Sequence, residues 1–224
     1  MTATCLETTA NREWVVVNVG TRAVEWKPME EIGDAHLMAA TARGDDDAFA
    51  ELVRRHQNLV FGTVSRMLGG QRAESEDVAQ QIFIRVHRAA SRYQPDAKFT
   101  TWLLTICRNC VFTHLKKQNR WKKEEPWKDE DGVETHPLDH QMDTLTGNAR
   151  EHLLKQELEK VILAEIAELP EAQRMALVLR QYEQMDYEDI AQVLSATVPS
   201  VKSLLFRARE TLRKALQSYL HATH

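Results

Sequence analysis

Residues 186–212 read D-Y-E-D-I-A-Q-V-L-S-A-T-V-P-S-V-K-S-L-L-F-R-A-R-E-T-L, and they decide the fold of the second half of the chain. Apolar residues at helical spacing give one buried face to a first short helix and another to a second. At 100° per residue, Val201, Leu205 and Ala208 lie on one side of the second helix. The pattern predicts a helix-turn-helix, with Ser195 at the turn position that glycine usually holds.

The face opposite this apolar stripe carries polar and basic side chains and one phenylalanine. Phe206 lies roughly opposite the core of its own helix, which is unusual for a solvated face. In a DNA major groove, Ser203 and Arg207 would bond base edges and Phe206 would touch a thymine methyl. Packing of Phe206 on a neighbouring domain is the alternative. The predicted DNA contacts are Pro199, Ser200, Lys202, Ser203, Phe206, Arg207 and Arg209.

Charge is segregated along the chain, although the formal net charge is only -4. Residues 98–123 contain seven basic residues and no acidic one, and residues 202–214 form a second basic cluster. Residues 124–143 are the reverse, with many acids and a single lysine. Two basic stripes in a mildly acidic protein favour contact with a polyanion at two places, whereas solvated helix faces are the alternative.

The chain divides into four segments, and its fold class is predicted to be all-α outside the N-terminal extension. Residues 1–33 contain two β-prone runs around Gly20-Thr21, which is the pattern of a short hairpin, and their role is unassigned. Residues 34–122 and 151–220 predict two small helical domains, the second a four-helix, winged-helix-like domain with the helix-turn-helix. Residues 123–150, rich in acids with two prolines, predict a flexible acidic linker.

Local signals predict the helix ends in the first domain. An aspartate among residues 45–47 caps one helix, and Gly69-Gly70 ends it. The next helix begins near the acidic residues 74–77 and stops before Pro95. A long helix then runs into the basic cluster, with an apolar stripe formed by Phe99, Leu103, Ile106 and Cys110.

Composition and motifs exclude several classes of protein. No apolar run approaches the ~20 residues of a membrane span, and the N-terminus lacks the features of a signal peptide. Three cysteines are too few to hold a secreted fold together and suit a reducing cytoplasm. Phosphate-binding, dinucleotide-binding and zinc-protease motifs are missing. We therefore expect no enzymatic activity, no cofactor and no membrane insertion.

One group of residues has the spacing of a metal site. Cys107, Cys110 and His114 share a flank of the long helix as C-x2-C-x3-H, so they could bind zinc or form a redox switch. However, Cys110 falls on the apolar stripe, and a fourth ligand is not evident. We expect a buried cysteine pair without metal.

Three stretches, in this order, resemble the extracytoplasmic-function (ECF) group of bacterial sigma factors in the sigma-70 family. E-S-E-D-V-A-Q-Q-I-F-I-R-V (74–86) is similar to the family's polymerase-binding helix. F-T-T-W-L-L-T-I-C-R-N-C-V-F-T-H-L-K-K-Q-N-R (99–120) is similar to its promoter-melting helix. L-P-E-A-Q-R-M-A-L-V-L-R-Q-Y-E-Q-M-D-Y-E-D-I-A (169–191), with the helix after it, resembles its −35-reading domain. The resemblance covers about residues 35–217 and leaves out the N-terminal extension.

The resemblance implies a task for each stretch. The first helix would dock on the clamp helices of the polymerase β′ subunit through Asp77, Gln80, Phe83 and Arg85. In the melting helix, Asn109 matches the position that helps hold an extruded −10 base. Backbone phosphates of the −10 element would be bound by Lys116, Lys117 and Arg120. The last domain would read the −35 element and contact the β flap.

The implied function is that of a sigma factor, which binds core RNA polymerase and directs it to promoter DNA in the cytoplasm. Such proteins often have an anti-sigma factor as a partner. The alternative is a stand-alone helix-turn-helix regulator whose first domain senses a ligand. Residues 74–120 distinguish the two, because a sensing domain needs a pocket. This block instead offers a charged docking helix and a basic, aromatic-bearing one.

Overall fold

The structure, a computed structural model, describes residues 14–18, 24–28, 32–124, 158 and 160–222. In the N-terminal extension, strands β1 (Trp14–Asn18) and β2 (Val24–Pro28) pair antiparallel, with Val16 opposite Trp26. The helices are α1 (Asp34–Thr41), α2 (Asp46–Met67), α3 (Arg72–Ala89), α4 (Phe99–Glu124), α5 (160–167), α6 (Glu171–Gln181), α7 (Tyr187–Leu194) and α8 (Val198–Ala222). The predicted linker 123–150 lies outside the described residues, apart from the end of α4.

The predicted helix ends are confirmed to within a few residues. The Ala48 N–H donates to Oδ1 of Asp45 at 3.0 Å, so this aspartate caps α2. Gly69 and Gly70 follow the helix with φ of 68° and 83°, a left-handed conformation that glycine adopts without strain. Helix α3 begins slightly earlier than the acidic residues indicated, at Arg72.

Packing divides the described chain into two compact units. The first contains the described residues up to His56 together with His87–Pro95, and the second contains Gln57–Val86 and the described residues from Asp96 onward. This division by contacts crosses helices α2 and α3. The division into the sequence segments 1–33, 34–122, 123–150 and 151–220 is a functional one and stays a prediction.

A partly buried ionic network joins α1 to α2 in the first unit. Arg55 donates to Asp34 at 3.1 Å and to Glu51 at 2.6 Å, and Nε2 of His56 lies 2.9 Å from Asp34. Burial raises the pKa of Asp34. Hydrogen bonds and charge from His56 and Arg55 together lower it by more, so the pKa lies below its usual value. The hydrogen bond from Arg54 is the main reason that the pKa of Glu51 is also lowered.

This network predicts that acid weakens the first unit. A carboxyl whose folded pKa is lowered stabilises the fold above its unfolded pKa, and that stabilisation is lost as the pH falls through the folded pKa. Asp34→Asn is therefore expected to lower Tm by several degrees at pH 7 and by much less near pH 3. Thermal unfolding followed by circular dichroism measures this difference. Asp96→Asn, at an exposed carboxylate, is the control, and equal losses at both pH values would contradict the prediction.

The core of the second unit includes one side of α4. Leu103, Leu104, Cys107 and Val111 are almost fully buried, whereas Ile106 is half-buried. We predicted an apolar stripe of Phe99, Leu103, Ile106 and Cys110, and this prediction is wrong at Ile106. The next residue, Cys107, lies in the core instead. The reason is that α7 covers a neighbouring flank of α4, where Thr101 is buried too, so the buried sector is shifted around the helix.

Residues 160–222 form four helices and contain no strand, so the helix-turn-helix has no β-wing. Helix α6 packs on α7 and α8, and α7 packs on α8. Ile190, Val193, Val201 and Leu205 are buried between them, as predicted. Ser195 has φ 53° and ψ 46°, which confirms that it occupies the left-handed turn position. This left-handed conformation costs a residue that has a Cβ about 1 kcal/mol.

Residues of α6 and the turn after it also contact the C-terminal end of α2. Arg174 is 9% exposed and donates through Nη1 to the carbonyl of Met67 at 2.6 Å. Through Nη2 it donates to the carbonyls of Ala167 and Leu169. Thr63 donates to Glu183 at 3.2 Å in the same region. The end of α2 is thus held against the junction between α5 and α6.

Candidate nucleic-acid interface

The outward face of α8 presents every residue that the sequence predicted as a −35 contact. The seven side chains are all exposed: Pro199, Ser200, Lys202, Ser203, Phe206, Arg207 and Arg209. Phe206 is 68% exposed, so within the described chain it does not pack on a neighbouring domain. An exposed aromatic ring between polar and basic groups fits a surface that reads base edges and thymine methyls.

A tyrosine at the start of α7 helps to hold one of these cations. The Nζ of Lys202 lies 5.7 Å from the ring centroid of Tyr187, and the guanidinium of Arg180 lies 4.9 Å from the same ring. Arg180 also donates to the carbonyl of Met185 at 2.6 Å. Cations held against an aromatic ring lose rotational freedom, so this arrangement partly fixes the side chain of Lys202 on the outward face of α8.

The predicted −10 residues lie on the exposed side of α4. Asn109, Lys116, Lys117 and Arg120 are all exposed. At 100° per residue, Asn109, Lys116 and Arg120 fall within about 40° of one another on this helix, whereas Lys117 lies at the edge of the group. The helix therefore presents one amide and three cations along one side, which suits a nucleic-acid strand running along the helix.

The neighbouring flank of α4 is in contact with α7. Nζ of Lys98 lies 2.8 Å from Oδ2 of Asp189, and the hydroxyl of Thr101 donates to Oδ1 of the same residue at 3.3 Å. Nη2 of Arg108 donates to the hydroxyl of Ser195 at 3.2 Å. The hydrogen bond and charge of Asp189 raise the pKa of Lys98. Local sequence patterns do not reveal these contacts, because they join residues about 90 positions apart.

Helix α3 presents a mixed polar and apolar face. Asp77, Gln80 and Arg85 are exposed, and Phe83 is half-buried at the edge of that face. Ile84 is 42% exposed and lies near the centre of the same face. Sequence reasoning missed Ile84, although an apolar residue opposite its own helix's core was the signal that singled out Phe206.

The cysteine and histidine group does not assemble into a metal site. Cys107 and Cys110 are both buried, which confirms the predicted buried pair. Burial is the main cause that raises the pKa of both thiols, so thiolate formation is disfavoured. Nε2 of His114 lies 3.0 Å from Glu74 on α3. Among the residues with described side chains, no three His, Cys, Asp or Glu are grouped to hold a metal ion.

No helix in the described part of the chain combines the length and apolarity needed to cross a membrane.

Two solved structures share the overall arrangement. The sigma factor RpoE from Bartonella quintana, solved with the anti-sigma factor NepR, aligns with a TM-score of 0.59 at 19% identity, over 75% of this chain and 96% of its own. CnrH, solved with the cytosolic domain of CnrY, aligns with a TM-score of 0.57 at 23% identity, over 83% of this chain and 97% of its own. At these identities the likeness supports the fold alone.

Sequence comparison is more specific. Residues 52–121 match the family model for sigma-70 region 2, and residues 159–212 match the model for sigma-70 region 4. The RNA polymerase sigma-H factor of Pseudomonas aeruginosa is 37% identical over 187 residues, 84% of this chain and 95% of that protein. The ECF RNA polymerase sigma-E factor of Escherichia coli K12 is 33% identical over 190 residues, 84% of this chain and 96% of that protein. The chain belongs to the ECF group of the sigma-70 family of RNA polymerase sigma factors.

Proposed function

We propose that the exposed faces of α3, α4 and α8 each carry out a separate part of the function of a sigma factor. As a member of this family, the chain binds core RNA polymerase and directs promoter-specific initiation of transcription. The observation that carries the division is the outward face of α8, where Phe206 is 68% exposed between polar and basic neighbours. A stand-alone regulator is not favoured, because both matched regions are those of sigma factors.

Helix α3 is the proposed polymerase-docking element. Its exposed face places Ile84 near Asp77, Gln80 and Arg85, so an apolar centre is surrounded by charged and amide groups. Interfaces are commonly built this way, with an apolar centre and a polar rim. We assign this face to the β′ clamp helices of the polymerase. The domain formed by residues 160–222 would contact the β flap.

Helix α4 is proposed to recognise and open the −10 element of the promoter. Separating the strands costs about 1.4 kcal/mol per base-pair step, so contacts to the opened strand must offset several such steps. Asn109 would hold an extruded base, and the cations Lys116, Lys117 and Arg120 would bind phosphates of the same strand. We assign no catalytic step to this chain, since the polymerase performs the chemistry.

Two further assignments follow from this function. We place the protein in the cytoplasm at the nucleoid, because promoter DNA and polymerase are found there. We also propose that an anti-sigma factor binds this chain, as one does for the RpoE structure described above. Such a partner would keep the exposed faces of α3 and α4 from the polymerase and the promoter.

Reconstituted transcription tests the function directly. Core RNA polymerase, the purified chain and a library of genomic fragments are incubated with nucleotides, and the start sites are mapped by sequencing. We expect a small set of start sites that requires this protein and shares sequence near −35 and −10. Start sites identical with and without the chain would refute the proposal.

Arg207→Ala tests the reading of the −35 element. Loss of a bidentate arginine contact to a base costs about 1–3 kcal/mol, so we expect ~5- to ~150-fold weaker promoter binding by the holoenzyme. The loss should be greatest on promoters with the preferred base and small on promoters changed at that base. Arg43→Ala removes an equal charge at an exposed site in the first unit and is the control. Equal losses on both promoters would identify Arg207 as a phosphate contact instead.

A further inference from the structure

We propose that the hairpin formed by β1 and β2 is a second docking surface for core RNA polymerase, beside the polymerase surface that α3 binds. The apolar face of the hairpin packs on a protein surface of the polymerase. This inference rests on the proposed function and deepens it, because it gives the N-terminal extension a part in polymerase binding. The match to sigma-70 region 2 begins at residue 52, so the contacts that the family shares do not account for the extension.

The register of the hairpin gathers most of its apolar residues on one face. Val16 pairs with Trp26, and Val17 pairs with Glu25. Successive residues of a strand alternate between the two faces of a sheet. One face therefore carries five apolar residues and one asparagine: Trp14, Val16, Asn18, Val24, Trp26 and Pro28. The other face carries two charged residues and two valines, so it suits contact with water.

The apolar face needs a partner. Within the described part of the chain, β1 and β2 pack extensively on each other and on no other element. A two-stranded hairpin by itself is marginally stable in water, and it becomes stable when a further strand, a helix or another surface packs against it. Burial of two tryptophans against a partner would supply that stability, since aromatic side chains bury more apolar area than any others.

The chain is anchored to the first unit shortly after the hairpin. Ile32 is 4% exposed, and its carbonyl accepts a hydrogen bond from Arg55 at 2.6 Å. Arg55 and His56 also contact Asp34 at the start of α1. Three residues separate Pro28, at the end of β2, from Ile32, so the two positions are at most roughly 14 Å apart. The hairpin is therefore held close to a fixed point of the first unit.

This anchor lies near the end of the proposed docking helix. Helix α1, which begins two residues after Ile32, packs on the short 3-10 helix Ala90–Arg92. That short helix follows α3 directly in the chain. Ile84, in the proposed docking face, precedes Ala90 by six residues, which is roughly 9 Å at the rise of an α-helix. The hairpin can therefore reach polymerase surface that adjoins the part bound by α3.

Tethering and charge favour the polymerase over other occupants. Once α3 is bound, a short tether holds the hairpin near the polymerase at an effective concentration on the order of 1 mM. A hairpin contact with a Kd of about 0.1 mM would then add ~10-fold in affinity, whereas a partner arriving from solution would gain nothing from the tether. Residues 1–33 carry five acidic and three basic residues, an excess that disfavours DNA.

Val16→Ser and Val17→Ser form a matched pair of variants for testing the apolar face. The two residues are neighbours in β1 and lie on opposite faces, so both variants lose the same strand propensity. Affinity of the full-length chain for core polymerase is measured by surface plasmon resonance. We expect about 3- to 10-fold weaker binding for Val16→Ser and less than about 2-fold for Val17→Ser. Equal affinities of the two variants would overturn the assignment of this face.

Deletion of residues 1–28 removes the hairpin whether or not a substituted hairpin still folds. Ile32 and its hydrogen bond from Arg55 are retained, so the melting temperature should stay within about 2 °C of the wild type. We expect about 10-fold weaker binding to core polymerase, the whole contribution of the tethered contact. Wild-type affinity in the deletion variant would overturn the proposal.

Photo-crosslinking identifies the occupant. The full-length chain carries p-benzoylphenylalanine in place of Trp26, or of Glu25 on the opposite face as the control, and is irradiated with core polymerase. We expect position 26 to crosslink to a polymerase subunit, identified by mass spectrometry, and position 25 to crosslink much less. Crosslinks from position 26 only to a second copy or to the same chain, or none at all, would overturn the proposal. Start sites selected by the wild type in reconstituted transcription are an independent readout, so failure of this inference is distinguishable from failure of the proposed function.

Discussion

Replacing Asp77 by arginine is expected to abolish co-purification of the chain with core RNA polymerase. Asp77 lies on the exposed face of α3, so replacing it by arginine reverses the charge at that position without disturbing the core. Opposing like charges across an interface costs several kcal/mol, and a loss of about 3 kcal/mol weakens binding by roughly 150-fold. Affinity for core enzyme, measured by surface plasmon resonance, should fall by at least that factor.

A second variant and a control make this prediction sharper. Ile84→Glu places a charge near the apolar centre of the same face and is expected to have a similar effect, because the polymerase would bury it. Asp47→Arg makes the same change as Asp77→Arg at an exposed site in α2 and should leave affinity unchanged. Melting temperatures should stay within about 2 °C of the wild type, as for surface substitutions generally. Tight binding by both α3 variants would remove this helix from the interface.

Local signals were sufficient to predict most of the secondary structure. Gly69 and Gly70 ended α2, and Ser195 took a left-handed conformation at the turn, because each depends on backbone energies of a few neighbouring residues. The exposed face of α8 was predictable for a similar reason. Its buried residues recur with the helical period, so the opposite residues must face outward wherever nothing covers them.

What could not be predicted depends on contacts between distant residues. Ile106 was expected in the core of α4, but Cys107 lies there and Ile106 is half-buried, because α7 covers a flank whose position periodicity does not reveal. The pairing of Lys98 with Asp189 joins two segments separated by the predicted linker. From the sequence alone, Lys98 and Asp189 would each be interpreted as an ordinary charged side chain exposed to solvent.

Arg174 is the clearest case of a residue whose importance only the structure reveals. In the sequence it stands in L-P-E-A-Q-R-M-A-L-V-L, just before the buried run Met175–Leu179. An arginine next to such a run would be expected to face water. It is 9% exposed, and burial is the main reason that its pKa is lowered, with Glu168 and Glu171 opposing the shift. A buried guanidinium persists only where acceptors surround it.

Arg174→Met is accordingly expected to be the most destabilising single substitution proposed for this chain. The guanidinium donates to the backbone carbonyls of Met67 and Ala167, at the ends of α2 and α5, and of Leu169, two residues after α5. Methionine fills similar space but leaves these carbonyls without their donor, each at about 1–3 kcal/mol. We expect a loss of about 3–5 kcal/mol in the free energy of unfolding, measured by urea denaturation.

The pattern of loss distinguishes a lost donor from a lost charge. Arg174→Lys retains the positive charge but has a single ammonium in place of the planar fork, so it cannot reach carbonyls at two helix ends together. It should therefore lose nearly as much stability as Arg174→Met. Asp189→Ala, which breaks a partly exposed ion pair, should cost less than about 1 kcal/mol. Full stability in Arg174→Lys would mean that charge alone matters at this position, and that the carbonyls at the ends of α2 and α5 need no bound donor.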